Sequence, residues 1–366
     1  MKIAAAVTHE RGQIVIEAAE LADPQPTEVL VKLIATGVCH TDVAGIEQAI
    51  PVALPAIFGH EGVGVVEEVG RGVDDLKPGD RVILTYPSCG SCSYCREAHP
   101  FACEQFNVLA FSGLYRDGTT RCSQDGVEIS SFFGQGSFAS HAIVDARSAV
   151  KVSGVTDEQL SAMCSLGCGV QTGAGMVLNV FKPTPASSIA VFGCGGVGMA
   201  AVMAAKIAGC AQVIAVDVNP DRLALALELG ATDTIDASGV VDTAAAIKDL
   251  SHGGVHYAAE SSGIPQLTLT AVQSLRRLGH ACVVSVTGPG TIELPIEAAL
   301  MNPSCTLTGI TEGGADPQVF IPQLAEYFVR GMLPLEKLVR FYPFAAIRQA
   351  FDDSHAGATI KPILTF

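Results

Sequence analysis

SSIAVFGCGGVGMAAVMAAKIAGC, residues 187–210, passes from a continuous apolar run through a glycine-rich turn into an alanine-rich helix. Gly193, Gly195 and Gly198 stand in the spacing G-x-G-x-x-G, which alone is weak evidence. Its context gives it meaning: an apolar strand before, a helix after, and Asp217 closing the next strand, QVIAVD, nineteen residues beyond Gly198. In that setting Gly193 permits the tight turn, Gly195 lets the backbone approach a pyrophosphate, and Gly198 lets helix and strand pack closely. Together with Gly196 and Val197, these residues form an expected dinucleotide-phosphate site at a helix N-terminus, whose unpaired N–H groups favour anions. Asp217 is expected to accept hydrogen bonds from the adenosine ribose hydroxyls and to repel a 2'-phosphate, so NAD is expected over NADP. Arg222 is a candidate on the adenosine side, with a solvated helix-face arginine as the alternative.

The alternation extends outward from this unit. PDRLALALELGA reads as a helix and TDTID as a strand, and DTAAAIKDLS, VHYAAESSG, QLTLTAVQSLRRLG and HACVVSV continue the pattern. Strands alternating with helices imply right-handed βαβ units and a parallel sheet covered on both faces, a doubly wound domain. The first ~150 residues read instead as β-rich, with short Val and Ile strands broken by turns such as KPGD at 77–80. After residue 302 come the strand CTLTGIT, the helical PQVFIPQLAEYFVRG and the terminal IKPILTF. The segment FKPTPASS at 181–188 is expected to lead into the parallel sheet rather than to separate independent domains.

A chain of 366 residues that is 49% hydrophobic and 16% charged is a folded α/β protein of about two domains. Lys and Arg total 22 against 37 acids, a net charge of −15, which argues against nucleic acid and favours a small-molecule partner. No apolar run reaches the ~18 residues of a membrane helix, and MKIAAAVTHERG reads as a strand and turn without a signal-peptide core. A cytoplasmic protein with no membrane contact is therefore expected. Its twelve cysteines are then not a disulfide framework, and metal ligation or burial must explain them.

CGSCSYCREAHPFAC places Cys89, Cys92, Cys95 and Cys103 at spacings x2, x2 and x7. Four thiolates within one Gly- and Ser-containing loop suit a tetrahedral zinc, closed to chemistry and hence structural. An iron–sulfur cluster is the competing reading. It is disfavoured because the fourth cysteine is too distant and no proline follows it. His99 reads as a loop histidine. Cys39 in GVCHTDVAG, His60 in FGHEGVGVV and Cys164 in SAMCSLGCGVQTG are scattered, and each taken alone reads as an inert buried cysteine or an ordinary hydrogen-bonded histidine.

GVCHTD, GHEGVGVVEEVG, the four-cysteine loop, CSLGCGVQTG, VFGCGGVG and IKPILTF, in this order along essentially the whole chain, resemble the zinc-containing alcohol dehydrogenases of the medium-chain dehydrogenase/reductase family. The resemblance implies a GroES-like β-rich catalytic domain built from both chain ends, 1–163 and 303–366, with a Rossmann nucleotide-binding domain over 164–302. It implies a catalytic zinc held by Cys39, His60 and Cys164, with one position open to water or alcohol. That makes two zinc ions per chain. By position, Asp42 orients His60 and Glu61 sits behind the metal, where it loosens or exchanges coordination. His40 and Lys361 contact the cofactor pyrophosphate, and Thr41 takes the alcohol proton. A homodimer or homotetramer is implied as well, with strands near 282–310 extending the sheet between subunits.

Ala44 departs from the liver-type pattern, in which a histidine completes the proton route. That replacement, followed by PVALPAIFGHEG, resembles the aryl-alcohol (benzyl alcohol) dehydrogenase branch. Aromatic or allylic primary alcohols are therefore expected over ethanol, to be oxidised reversibly to aldehydes. Ile50, Thr85, Phe132 and Phe133 are the pocket candidates by position, although the phenylalanines read equally as core. A thiol-dependent formaldehyde dehydrogenase and a non-catalytic, crystallin-like relative are the alternatives. No basic pocket for a thiol carrier is identifiable, and an intact ligand set has no use in a retired site.

Overall fold

The computed structural model describes residues 1–284 and 290–366. Ser285 and Val286, the end of HACVVSV, lie outside the described residues, as does part of the 282–310 region. Contacts divide the chain into Met1–Cys168 with Asp316–Phe366, and Gly169–Ala315. Both junctions fall later than the expected 163/164 and 302/303. The turn Cys164–Gly167 stays with the first unit because it lies on the strand Arg81–Leu84, where a Cβ on Gly167 would come within 1.9 Å of the Leu84 carbonyl oxygen. The strand Thr306–Gly309 stays with the second because it pairs with Leu275–Val283.

In the second unit Ser188–Phe192 is buried along its whole length and lies at the centre of a six-stranded sheet. Across the sheet the order is Asp233–Asp236, Gln212–Asp217, Ser188–Phe192, Val255–Glu260, Leu275–Val283 and Thr306–Gly309, with every pair parallel. Numbered along the chain this is 3-2-1-4-5-6, the dinucleotide-binding order of the Rossmann fold. The last-but-one strand begins in LRRLG, before the expected HACVVSV. The helix Pro220–Leu229 starts where proline suits its first position and the Asn219 side chain accepts from the N–H groups of Asp221 and Arg222.

The first unit joins a closed five-stranded barrel to a seven-stranded sheet. In that sheet Glu28–Gly37 pairs antiparallel with Glu61–Val69, His141–Asp145 and Lys361–Thr365. This register assembles the site. Gly37 lies opposite both Glu61 and Ile363. Cys39, two residues beyond one strand end, therefore meets His60, one residue before the next strand, beside Lys361 at the start of the C-terminal strand. Distant chain segments converge at one sheet end, so the GroES-like unit needs both chain ends.

Candidate active site and metal centres

Cys39, His60, Glu61 and Cys168 place their ligand atoms within 4.8 Å of one another. Asp42, fully buried in the helix His40–Ile46, holds the cluster in register. Its Oδ1 lies 2.8 Å from His60 Nδ1 and accepts the Gly59 N–H at 3.0 Å, while Oδ2 accepts the Cys39 N–H at 3.0 Å. A proton held on Nδ1 against this carboxylate leaves Nε2 as the ligating nitrogen. Nε2 lies 3.3 Å from Cys168 Sγ.

A hydrogen bond from Cys168 is the largest influence on the Cys39 thiol, and with the charges of His60 and Lys361 it holds that thiol well below the usual range despite burial. Burial opposes charge on His60, but Asp42 and Cys39 keep its pKa well above that of a free imidazole. A buried imidazole, two soft sulfur donors and a carboxylate suit zinc.

Cys168, not Cys164, completes this group. Cys164 lies in the turn Cys164–Gly167, fully buried, and burial raises its thiol well above the usual range. Cys168 lies just past that turn, where its non-helical backbone (φ −144°, ψ −94°) breaks the turn's succession of side-chain directions and brings its sulfur to His60. Both cysteines of CSLGC are visible in the sequence, but the apolar and glycine-rich surroundings of Cys168 read there as those of a small core residue, and the structure reverses that reading.

Lys361 also departs from expectation. The residue is only 6% exposed, with Nζ donating to Glu61 Oε1 and Oε2 at 2.8 and 2.9 Å and to the Val38 carbonyl at 3.1 Å. The ammonium is committed inside the protein instead of standing free for a pyrophosphate. Burial raises the Glu61 carboxyl, and Lys361 opposes that shift. His40 remains exposed, lining a cavity of about 690 Å³ that also borders Arg348 and His355.

Phe133 stacks on His60 at a centroid distance of 4.5 Å and 25° between planes, and Phe132 meets the same ring edge-on at 5.8 Å. Thr85, fully buried, donates its hydroxyl to the Gly167 carbonyl at 2.9 Å, next to Cys168. Thr41 Oγ1 lies 3.7 Å from Cys39 Sγ. Ile50 is half-buried, and its N–H donates to the Ala44 carbonyl at 3.0 Å.

Cys89, Cys92, Cys95 and Cys103 form a second group within the same 4.8 Å limit. Backbone N–H groups point at sulfur: Cys92 donates to Cys89 Sγ and Cys89 to Cys103 Sγ, both at 3.2 Å. Burial opposes ionisation of Cys89, yet the N–H groups of Ser91 and Cys92 bring it down to about 6, while burial pushes Cys95 up to about 12. Four sulfurs, with one favoured as thiolate, suit a closed zinc site.

In the second unit Gly193 has φ +86°, which only glycine adopts without strain, and a Cβ on Gly198 would come within 1.7 Å of the Gly193 oxygen. A Cβ on Gly195 would meet nothing within 4 Å, so that face of the turn is open to a ligand. Gly196, Val197 and Gly198 begin the helix Gly196–Ile207. Asp217 receives the Cys194, Val218 and Asn219 N–H groups at 2.6, 2.8 and 2.9 Å, which fixes its carboxylate beside the turn. Arg222 Nε is buried without a hydrogen-bond partner among the described residues.

Comparison with known proteins agrees with both units. Residues 25–154 match the family described as alcohol dehydrogenase GroES-like domain, and residues 196–327 that described as zinc-binding dehydrogenase. Geraniol dehydrogenase of Castellaniella defragrans is 39% identical over 99% of this chain and 97% of its own length. An alcohol dehydrogenase zinc-binding domain protein from Burkholderia ambifaria superposes with TM-score 0.97 at 45% identity, covering 100% of this chain and 99% of that one. Benzyl alcohol dehydrogenase from Acinetobacter calcoaceticus superposes with TM-score 0.95 at 41% identity, with the same coverage.

Proposed function

Because the chain belongs to the zinc-containing alcohol dehydrogenases of the medium-chain dehydrogenase/reductase family, we propose that it oxidises aryl or allylic primary alcohols reversibly to aldehydes with NAD. The observation that carries the substrate class is the aromatic wall built directly on the ligand histidine. Phe133 and Phe132 contact the His60 ring, and Phe111 packs on both at 5.4 and 5.9 Å. Phe132 is fully buried in the core and backs Phe133, which is 4% exposed, so the ring a flat unsaturated substrate would meet, and ethanol could not use as well, is that of Phe133. The named activities of the geraniol and benzyl alcohol relatives support the same class.

Zinc bound by Cys39, His60 and Cys168 supplies Lewis acidity that makes the alcohol proton easier to remove. The protein's own groups do the rest. Thr41 Oγ1, beside Cys39, takes the alcohol proton. Asp42 keeps Nδ1 of His60 protonated, so that Nε2 remains a ligand. Glu61 waits behind the ligands, held by Lys361. Asp217 binds the adenosine ribose hydroxyls and its charge repels a 2'-phosphate, which favours NAD over NADP, while Arg222 offers its buried Nε on the adenosine side. The chain is taken to work as a cytoplasmic homodimer or homotetramer. No helix among the described residues is long and apolar enough to cross a membrane.

Steady-state kinetics test the substrate reading. Benzyl alcohol, cinnamyl alcohol and geraniol are expected to exceed ethanol in kcat/KM by about 100-fold, the discrimination that apolar pocket contacts supply. Equal values for ethanol and benzyl alcohol would contradict the pocket assignment. NAD is expected to outperform NADP in the same assay. Metal analysis is expected to find about two zinc ions per chain, as two ligand sets require. A single ion would remove one of the two sites.

A further inference from the structure

We infer that Arg147 is the built-in counter-cation of the four-cysteine loop, a positioning residue that holds the loop around its metal. The inference rests on that loop binding zinc, as proposed above. Four thiolates around a dication leave two negative charges in excess, which partial burial makes costly unless a cation is fixed nearby.

Arg147 is so fixed. It lies in the short turn Ala146–Ser148 after the strand His141–Asp145. Asp145 grips the guanidinium with both oxygens, receiving Nε and Nη2 at 2.8 Å each, and also accepts the Arg147 backbone N–H at 3.1 Å. Gln318 donates to the Arg147 carbonyl at 2.8 Å. Such a two-toothed grip fixes where the third nitrogen points.

That nitrogen, Nη1, lies 1.8 Å from where a Cβ on Gly90 would stand. The guanidinium therefore occupies the space over Gly90 in which any other side chain would begin. Gly90 follows Cys89 and has φ +65°. Asp145 contributes most to the stability of the Arg147 charge, and the Cys89 and Cys95 sulfurs, where charged, add to it. Arg96, within the loop, donates instead to the Ser91 carbonyl at 2.6 Å.

The test follows zinc release from the full chain to a chromophoric chelator, where the phase missing in Cys103→Ala identifies the loop ion. Arg147→Met is expected to release that ion about 10- to 100-fold faster, a usual cost of losing a group that supports metal ligands. Arg147→Lys, which keeps the charge, should restore part of the retention. High salt should accelerate release from the unaltered chain but not from Arg147→Met, since only the former has the charge contact to screen. Arg116→Met, 3.9 Å from Asp145 on its other side, should change nothing. Equal release from the unaltered chain and Arg147→Met, with two zinc ions in each, overturns the inference. An unaltered chain with no zinc in the loop overturns the metal reading instead. Should Arg147→Met not fold, Asp145→Asn must speed release several-fold, and an unchanged rate would equally overturn the inference.

Discussion

Cys168→Ser is expected to lose about three orders of magnitude in turnover together with one of two bound zinc ions, while Cys164→Ser keeps both. Losing the thiolate would release the ion that would stabilise charge at the reacting oxygen, and a loss of ~4 kcal/mol of such stabilisation corresponds to ~1000-fold in rate. The geometry separates the two cysteines: Cys168 Sγ is 3.3 Å from His60 Nε2, whereas Cys164 lies outside the ligand group. Cys164 is a small buried side chain in a turn packed on the first unit, so its replacement should cost ~1 kcal/mol of stability and little activity. Zinc content and NAD affinity, measured beside kcat, distinguish ligand loss from misfolding. Full turnover in Cys168→Ser, or zinc loss in Cys164→Ser, would reverse the assignment.

The second large effect is on stability. Lys361→Met is expected to destabilise the protein by ~3–5 kcal/mol, because it leaves the fully buried Glu61 carboxylate without its cation. For a unit of this size that lowers Tm by ~6–20 °C. Removing both charges in Glu61→Gln with Lys361→Met should recover much of the loss, since the cost lies in the unpaired charge more than in the missing pair. Thermal unfolding of the single and double variants measures this. An unchanged Tm with strongly weakened NAD binding would return Lys361 to the pyrophosphate role expected from its position.

Some of the site was legible because its chemistry is local. G-x-G-x-x-G between an apolar strand and a helix carries its own reason: Gly193 at φ +86° and Gly198 against the Gly193 oxygen are backbone requirements that no distant residue alters. The four-cysteine loop is likewise one continuous segment, and its sulfurs meet because few residues separate them. The pairing of Asp42 with His60 could be anticipated from the family resemblance, and the 2.8 Å contact agrees with it.

What required the tertiary structure is whatever depends on direction across the sheet. The antiparallel register that sets Gly37 opposite both Glu61 and Ile363 joins three segments that are far apart in sequence. It turns Lys361 inward to Glu61, a partnership that composition and motif cannot reveal. The non-helical backbone just past one short turn decided between Cys164 and Cys168. Stacking of Phe133 on His60, and of Arg147 over Gly90, arose in the same way from side chains converging out of separate elements. The alternating strands and helices, the nucleotide turn and the cysteine loop are legible along the chain, because backbone sterics and short spacings act locally, whereas the GroES-like fold was legible only through the family resemblance. Which sulfur and which ring meet His60, and that the Lys361 ammonium turns to Glu61, depend on strand register and on the backbone past a short turn, set by packing across the whole unit.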